Sequence, residues 1–403
     1  MKKWIKKNES RRTEETLSMK KAQKEIPVYF PPMTSTTRAF AAPWNYIQGP
    51  GEFDNLYEYS RRYSKNVYAL IDGFLYDSLG ARLMECFAGT DSTLYVDRFG
   101  GECCQREIDR VALELKTRGA GLAIAVGGGK TLDTVKAAAI GMDLHVIIVP
   151  SSASNDAPVS SLSVVYTEEG VHDHSINFHR GSDLVLIDSE IVLHAPKRLF
   201  VAGMGDALST YFEARACERS QIKNGVGKGY LPCKAGMAIA KLCFDILMQD
   251  SVKALMALNT GVINEAFENV IEANALLSGL GFQNTGCSIA HSINAGLSEL
   301  PEAAPILHGE RVGFGVLVQL FFENAPLDEI QKIMKYMDSV GLPMTLAEVG
   351  VEATKEKVDI MTEKMVYHNA LAHTESLVVN QETLGAAIFM ADAMGKAYRS
   401  KSL

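Results

Sequence analysis

Between about residues 66 and 187, short apolar runs alternate with amphipathic stretches. The runs at 67–71, 93–96, 121–126 and 145–149 are bounded by polar or glycine positions, as buried strands are. Intervening segments such as 108–115 place apolar residues at helical spacing. Two further runs, 162–166 and 184–187, predict two more strands. Strands alternating with helices imply a parallel sheet covered on both faces. After Pro196 the strand pattern fades. Helical periodicity then covers 198–219, 229–249, 261–280, 284–299, 308–324, 354–368 and 381–399, with Gly and Pro punctuation as at Gly341-Leu342-Pro343. The expected architecture is an N-terminal α/β domain over 33–195 and an all-helical domain over 196–403. Residues 1–32 are a basic extension ahead of both.

Composition narrows this picture. A chain of 403 residues accommodates about two domains. Its 47% hydrophobic and 22% charged residues are those of a globular protein with a sizeable core. A formal net charge of −8 argues against nucleic acid as a partner, because phosphate backbones need a basic face. No apolar run approaches the roughly 20 residues that span a bilayer, so no membrane partner is expected. The seven cysteines form no Cys-x-x-Cys pair and follow no regular spacing, which fits a reduced, cytoplasmic setting. The first 30 residues carry nine Lys or Arg against four Glu and no apolar core, so they do not form a secretory signal. They read as a disordered tail or an extended start, with Met19 and Met33 as internal starts, and alternatively as a basic docking arm.

Three separated positions carry candidate chemistry. Asp206 in Gly-Met-Gly-Asp-Ala, His291 in Ala-His-Ser and His308 in Leu-His-Gly-Glu each fall in a helical or helix-edge context. One carboxylate and two imidazoles make a divalent-metal site with a position left open, the arrangement of a catalytic rather than a structural ion. Taken singly, His291 also reads as a buried core residue between Ile289 and Ile293, and His308 as a helix cap. Gly127-Gly128-Gly129-Lys130-Thr131 closes one apolar run and opens a helix, where backbone amides can seat a phosphate. It is not a phosphate-binding P-loop, since Ile124 stands where the first Gly belongs. Nor is it the usual dinucleotide fingerprint, since Leu132 occupies its last small position. A tight strand–helix turn is the plain alternative. The Ser-rich loop 150–158 follows the next run, and two such loops at strand carboxyl ends face one crevice. Asp72 directly follows the first run. It reads either as a turn residue or as a ribose-binding carboxylate that repels a 2′-phosphate and so selects NAD over NADP. His172, His174 and His179 read as a polar loop between strands, with metal binding the weaker alternative.

Several longer motifs occur in order: Gly127-Gly128-Gly129-Lys130-Thr131-Leu132-Asp133-Thr134, Ala153-Ser154-x-Asp156-Ala157-Pro158, Val201-Ala202-Gly203-Met204-Gly205-Asp206-Ala207-Leu208 and Leu277-Ser278-Gly279-Leu280-Gly281-Phe282. Together they resemble the glycerol-oxidising branch of the metal-dependent (iron-type) alcohol dehydrogenase superfamily, from about Tyr46 to the C-terminus. The resemblance implies a dinucleotide-binding α/β domain, a helical metal-binding domain and an active site in the cleft between them. It implies Asp206, His291 and His308 as Zn2+ ligands and Asp156 as the catalytic-site residue that contacts substrate. It also implies that Asp72, Gly127, Gly128, Gly129, Lys130, Thr131, Asp133, Ser151, Ser152, Ser154, Ser160, Leu162 and Tyr166 bind NAD. A homo-oligomer, up to an octamer, is a further implication.

Three departures from the family pattern stand out. Asn294 replaces the second His of the motif around His291, and Asn155 replaces the usual Thr or Ser before Asp156. Thr210 stands four residues after Asp206, where iron-dependent members carry a fourth ligand His, and this favours zinc. The activity implied is NAD-dependent oxidation of glycerol to dihydroxyacetone. Alternatives are oxidation of another small diol or alcohol such as 1,2-propanediol, a dehydroquinate synthase-like lyase, and a non-catalytic NAD-binding relative. The lyase would need cleft Lys and Arg that the segments around Asp206 and His291 do not supply.

Overall fold

Strand-forming runs that are buried end to end dictate a sheet sandwiched between helices, and the computed structural model has one. It describes residues 36–226 and 229–402; the basic N-terminal stretch, with Met19 and Met33, lies outside the described residues. From Arg38 onward the chain packs as one unit. Six parallel strands run in the order β1-β8-β5-β4-β2-β3, comprising β1 (Tyr46–Gly49), β2 (Asn66–Ile71), β3 (Thr93–Arg98), β4 (Leu122–Gly127), β5 (His145–Pro150) and β8 (Leu184–Asp188). Every residue of β4 and β8 is buried, as expected of a parallel strand covered on both faces. The register pairs Ile71 with Val126 and Gly127 with Pro150, so the loops after β2, β4 and β5 leave the same edge.

The chain order sets where a ligand fits. From β2 the chain moves outward to β3, then returns to the other side of β2 as β4. The connections therefore reverse between β2 and β4, and the crevice at such a switch point is where open α/β sheets bind ligands. Helices α2 (Tyr76–Phe87), α3 (Gln105–Arg118) and α4 (Gly129–Ile140) make the crossovers, and the short α1 (Leu56–Ser60) and α5 (Ser189–His194) flank the sheet.

The rest is helical, as the lost strand pattern implies: α6 (Lys197–Ser220), α7 (Lys234–Thr260), α8 (Glu265–Glu272), α9 (Ser278–Thr285), α10 (Ile289–Leu297), α11 (His308–Phe322), α12 (Leu327–Val340), α13 (Lys355–Tyr367) and α14 (Gln381–Arg399). A π-helical turn, Ala273–Leu277, joins α8 to α9. Leu208, Phe212, Ile293, Phe314 and Leu317, all fully buried, are among the side chains that fill the core between these helices.

Two sequence expectations need correction. The run at 162–166 does not join the parallel sheet: β6 (Leu162–Tyr166) pairs antiparallel with β7 (His172–Asn177) in a separate two-stranded sheet. Of the residues read as a polar loop, His172 and His174 lie on a strand and His179 follows it. That strand is mostly exposed, so it shows no apolar alternation. Periodicity also missed α12 and the short β1.

Candidate active site

Helix α6 supplies the first component. Residues 200–210 are almost all apolar or small and lie at the centre of the fold, which leaves Asp206 with no exposed surface. His291 enters from the first turn of α10, and His308 is the first residue of α11. Their ring Nε2 atoms lie 3.4 and 3.2 Å from Asp206 Oδ1. The donor atoms of the three residues fall within 4.8 Å of one another.

Close approach is possible because glycines stand where the elements cross. A Cβ on Gly309 would meet Ala202 O at 1.8 Å, and one on Gly203 would meet Ala153 O at 1.9 Å. Any larger residue would drive α11 away from α6, or α6 away from the loop after β5.

The electrostatics match the geometry. Burial alone would raise the Asp206 carboxyl, but His308 and His291 outweigh it and hold the group below the ordinary carboxylate range. Asp156, also buried, is pushed well above that range by desolvation and then by the Asp206 charge. The pair thus favours a single negative charge, on Asp206. Asp156 donates its backbone N–H to Asp206 Oδ2 at 3.3 Å and accepts from Ser278 Oγ at 3.1 Å. Ser278 Oγ lies 2.9 Å from Thr210 Oγ1, so Thr210 serves this hydroxyl chain.

Asp206 Oδ1 shows how the donor set suits a cation. This oxygen is fully buried, yet neither imidazole N–H is aimed to give it a hydrogen bond. One carboxylate and two imidazoles with donor atoms within 4.8 Å of one another suit a divalent metal, and O, N, N donors are compatible with zinc. The residues therefore fit the group.

The loop after β5 connects this cluster to a groove. Asp72, Phe74, Gly128, Ser151, Ser152 and Ser154 line a cavity of about 570 Å3 at the switch point. A second cavity of about 430 Å3 shares Asp72, Phe74 and Gly128 and reaches Gly129 and Lys130. Gly127 adopts φ 155°, and a Cβ there would stand 2.8 Å from Asp72 Cβ, so the turn requires glycine. Ala153 O accepts from the Asn274 amide at 3.0 Å; Asn274 belongs to the π-helical turn and so ties the loop to the helical part.

The structure brings Asp72, Gly128, Gly129, Lys130, Ser151, Ser152 and Ser154 to the groove. The other expected cofactor residues do not line either cavity. Thr131 is fully buried, with Oγ1 3.4 Å from Asp72 Oδ2. Asp133 pairs with Lys136 at 2.8 Å and accepts from the Val164 N–H. Ser160 and Leu162 present carbonyls to the Lys136 ammonium. Tyr166 stacks against the Lys130 ammonium at 5.2 Å. Asn155 caps its own turn, accepting from the Ala157 N–H at 3.1 Å. His172 and His174 lie on β7 and belong to none of the metal-competent groups among the described residues.

Sequence reading missed Glu213. It sits on α6 two helical turns after Asp206, fully buried, with its Oε2 2.6 Å from His291 Nδ1. The signal was the seven-residue spacing, hidden because an isolated Glu in a long helix resembles a surface residue. Glu213 raises the His291 imidazole well above its ordinary pKa although burial opposes this. Cys287 lies beside both, but burial pushes its thiol up to about 11, so it remains an uncharged thiol.

Known proteins share this frame. The family model for iron-containing alcohol dehydrogenase matches residues 43–189. The glycerol dehydrogenase of Citrobacter freundii is 36% identical over 365 residues, covering 90% of this chain and 100% of that protein. The glycolaldehyde reductase of Halobacterium salinarum is 34% identical over 368 residues, covering 91% of this chain and 100% of its own length. The crystal structure of a probable glycerol dehydrogenase from Sinorhizobium meliloti 1021 superposes with a TM-score of 0.85 at 42% identity, covering 89% of this chain and 99% of that one. A shared fold, matched nearly end to end at such identity, places the chain in the iron-containing alcohol dehydrogenase family, as an oxidoreductase of its glycerol dehydrogenase branch.

Proposed function

We propose that the protein oxidises glycerol, or a closely related vicinal diol, to dihydroxyacetone or the corresponding hydroxyketone with NAD, using Zn2+ held by Asp206, His291 and His308. The observation that carries this reading is the meeting of three metal-competent side chains at the inner end of a loop whose outer end lines a nucleotide-sized groove. When bound, zinc supplies Lewis acidity that makes a neighbouring hydroxyl acidic near neutral pH, and nicotinamide supplies the hydride acceptor.

The chain's own residues do the positioning. Asp156, steadied by Ser278, stands beside Asp206 and can hydrogen-bond a substrate hydroxyl. The Gly128–Gly129 turn and the Ser151–Ser154 loop approach the cofactor phosphates, and Asp72 takes the adenosine ribose hydroxyls. A division of the chain near residue 195 would give an α/β nucleotide part carrying Asp72, Gly128 and Ser151–Ser154 and a helical metal part carrying Asp206, His291 and His308. Among the described residues no helix is long and apolar enough to cross a membrane. The likeness to a glycolaldehyde reductase supports a second reading, in which a small 2-hydroxyaldehyde is reduced at the same site.

Formation of NADH from NAD with glycerol or 1,2-propanediol, and its consumption with dihydroxyacetone or glycolaldehyde, distinguishes these readings. Activity should vanish on exhaustive chelation and return with Zn2+. Undiminished turnover in the stripped protein, or no turnover of any of the four compounds after zinc loading, would sink the proposal.

A further inference from the structure

Glu213 makes three contacts that no surface acid makes. Oε1 accepts the backbone N–H of Ser288 at 2.7 Å and that of His291 at 2.9 Å, and Oε2 takes the His291 ring at Nδ1, 2.6 Å away. The side chain of Ser288, the N-cap of α10, makes no capping bond, so a carboxylate from α6 does that work from outside the helix. The same carboxylate fixes the ring. A carboxylate only accepts, so in the neutral ring the proton is on Nδ1, and Nε2, 3.4 Å from Asp206 Oδ1, is left with its lone pair. Asp206 and Glu213 lie on one face of α6, two turns apart, so one helix supplies both a first ligand and the group that aims the second.

We propose that Glu213 is the positioning residue of the metal centre: it selects the His291 tautomer that can bind a cation and ties the start of α10 to α6. The proposal rests on the reading of Asp206, His291 and His308 as metal ligands. Glu213→Gln separates its two tasks. The amide oxygen of Gln can still accept from Ser288 and His291, which preserves the cap. Its NH2 then faces Nδ1 as a donor, which forces the ring proton onto Nε2, the nitrogen needed for the metal.

The experiment compares wild type and E213Q for Zn2+ affinity by chelator competition, for the visible spectrum after Co2+ substitution, and for thermal unfolding of the metal-free forms. E213Q is expected to bind Zn2+ roughly 10- to 100-fold more weakly, the usual penalty for losing a histidine's supporting carboxylate. Its Co2+ spectrum should change, while metal-free unfolding stays close to wild type. Equal affinity and an unchanged spectrum would overturn the proposal. Should E213Q not fold, 15N-histidine spectra of the zinc-loaded wild type decide, with the His291 signal identified by its loss in His291→Asn. A proton on Nδ1 supports the assignment and one on Nε2 refutes it. A wild type that takes up no stoichiometric Zn2+ would instead remove the metal reading itself, and the proposal with it.

Discussion

Asp206 has no exposed surface, and its Oδ1 lacks a donor with good geometry. Removing its charge should therefore be felt at the site rather than in the fold. Asp206→Asn is expected to lower kcat/KM by more than about 100-fold, beyond the usual loss of a supporting partner, with far-ultraviolet circular dichroism unchanged. In the proposed reading Asp72 acts on a different step. Its carboxylate lines the groove, and replacing it with Ser removes like-charge repulsion on the order of 1 kcal/mol toward a 2′-phosphate. The ratio of kcat/KM for NADP to that for NAD should rise about fivefold, as parallel assays with the two cofactors would read. Asp206, His291 and His308 were legible in the sequence because each sits in a short motif that spacing or family likeness can mark. Glu213, Ser278 and Asn274 were not, since their partners come from distant segments and only the folded chain reveals them.

Helix crossing is the second scale. Asp206 rides on α6 and His308 on α11, and the two helices touch at Gly309, where a Cβ would stand 1.8 Å from Ala202 O. Gly309→Ala must push them apart. Overpacking of this kind costs about 1–3 kcal/mol, and here it also separates two donor atoms now 3.2 Å apart. Thermal scans with and without Zn2+ should show a lowered Tm for the metal-free variant and a smaller zinc-induced rise than in wild type. The elements themselves were legible wherever burial enforced a period. Strands β2, β4, β5 and β8 announced themselves as continuous apolar runs, and α6, α7 and α14 as long helical patterns. The pattern failed for β7, whose residues are nearly all exposed. It also placed β6 in the wrong sheet, because a strand's apolar content does not name its neighbour.

Across the whole molecule, distant segments meet behind the candidate metal ligands. Ser288, at the start of α10, donates to Glu375 from the connection before α14, at 2.7 Å. Burial pushes the Glu375 carboxyl up to about 7, against about 4.3 in an unfolded chain. The native protein thus binds this proton more tightly than the unfolded chain does. Its contribution to stability falls as pH rises from about 4.5 to about 7, and is constant above that window. Glu375→Gln keeps an acceptor for Ser288 and removes the titration. It should stabilise the protein by up to about 3.5 kcal/mol at pH 8 and have little effect at pH 5, as urea unfolding at the two pH values would measure.

The stretch from Ser151 to Asp156 belongs at one end to the groove and at the other to Asp206. Six residues are too few to let the ends move independently, so whatever occupies one end biases the other. Linkage makes that bias symmetrical: any factor by which zinc tightens dinucleotide binding is the factor by which dinucleotide tightens zinc. Cells rich in the nucleotide would then also be the ones in which the enzyme keeps its ion longest during scarcity, a property measurable by dialysing the loaded protein against chelator with and without NAD.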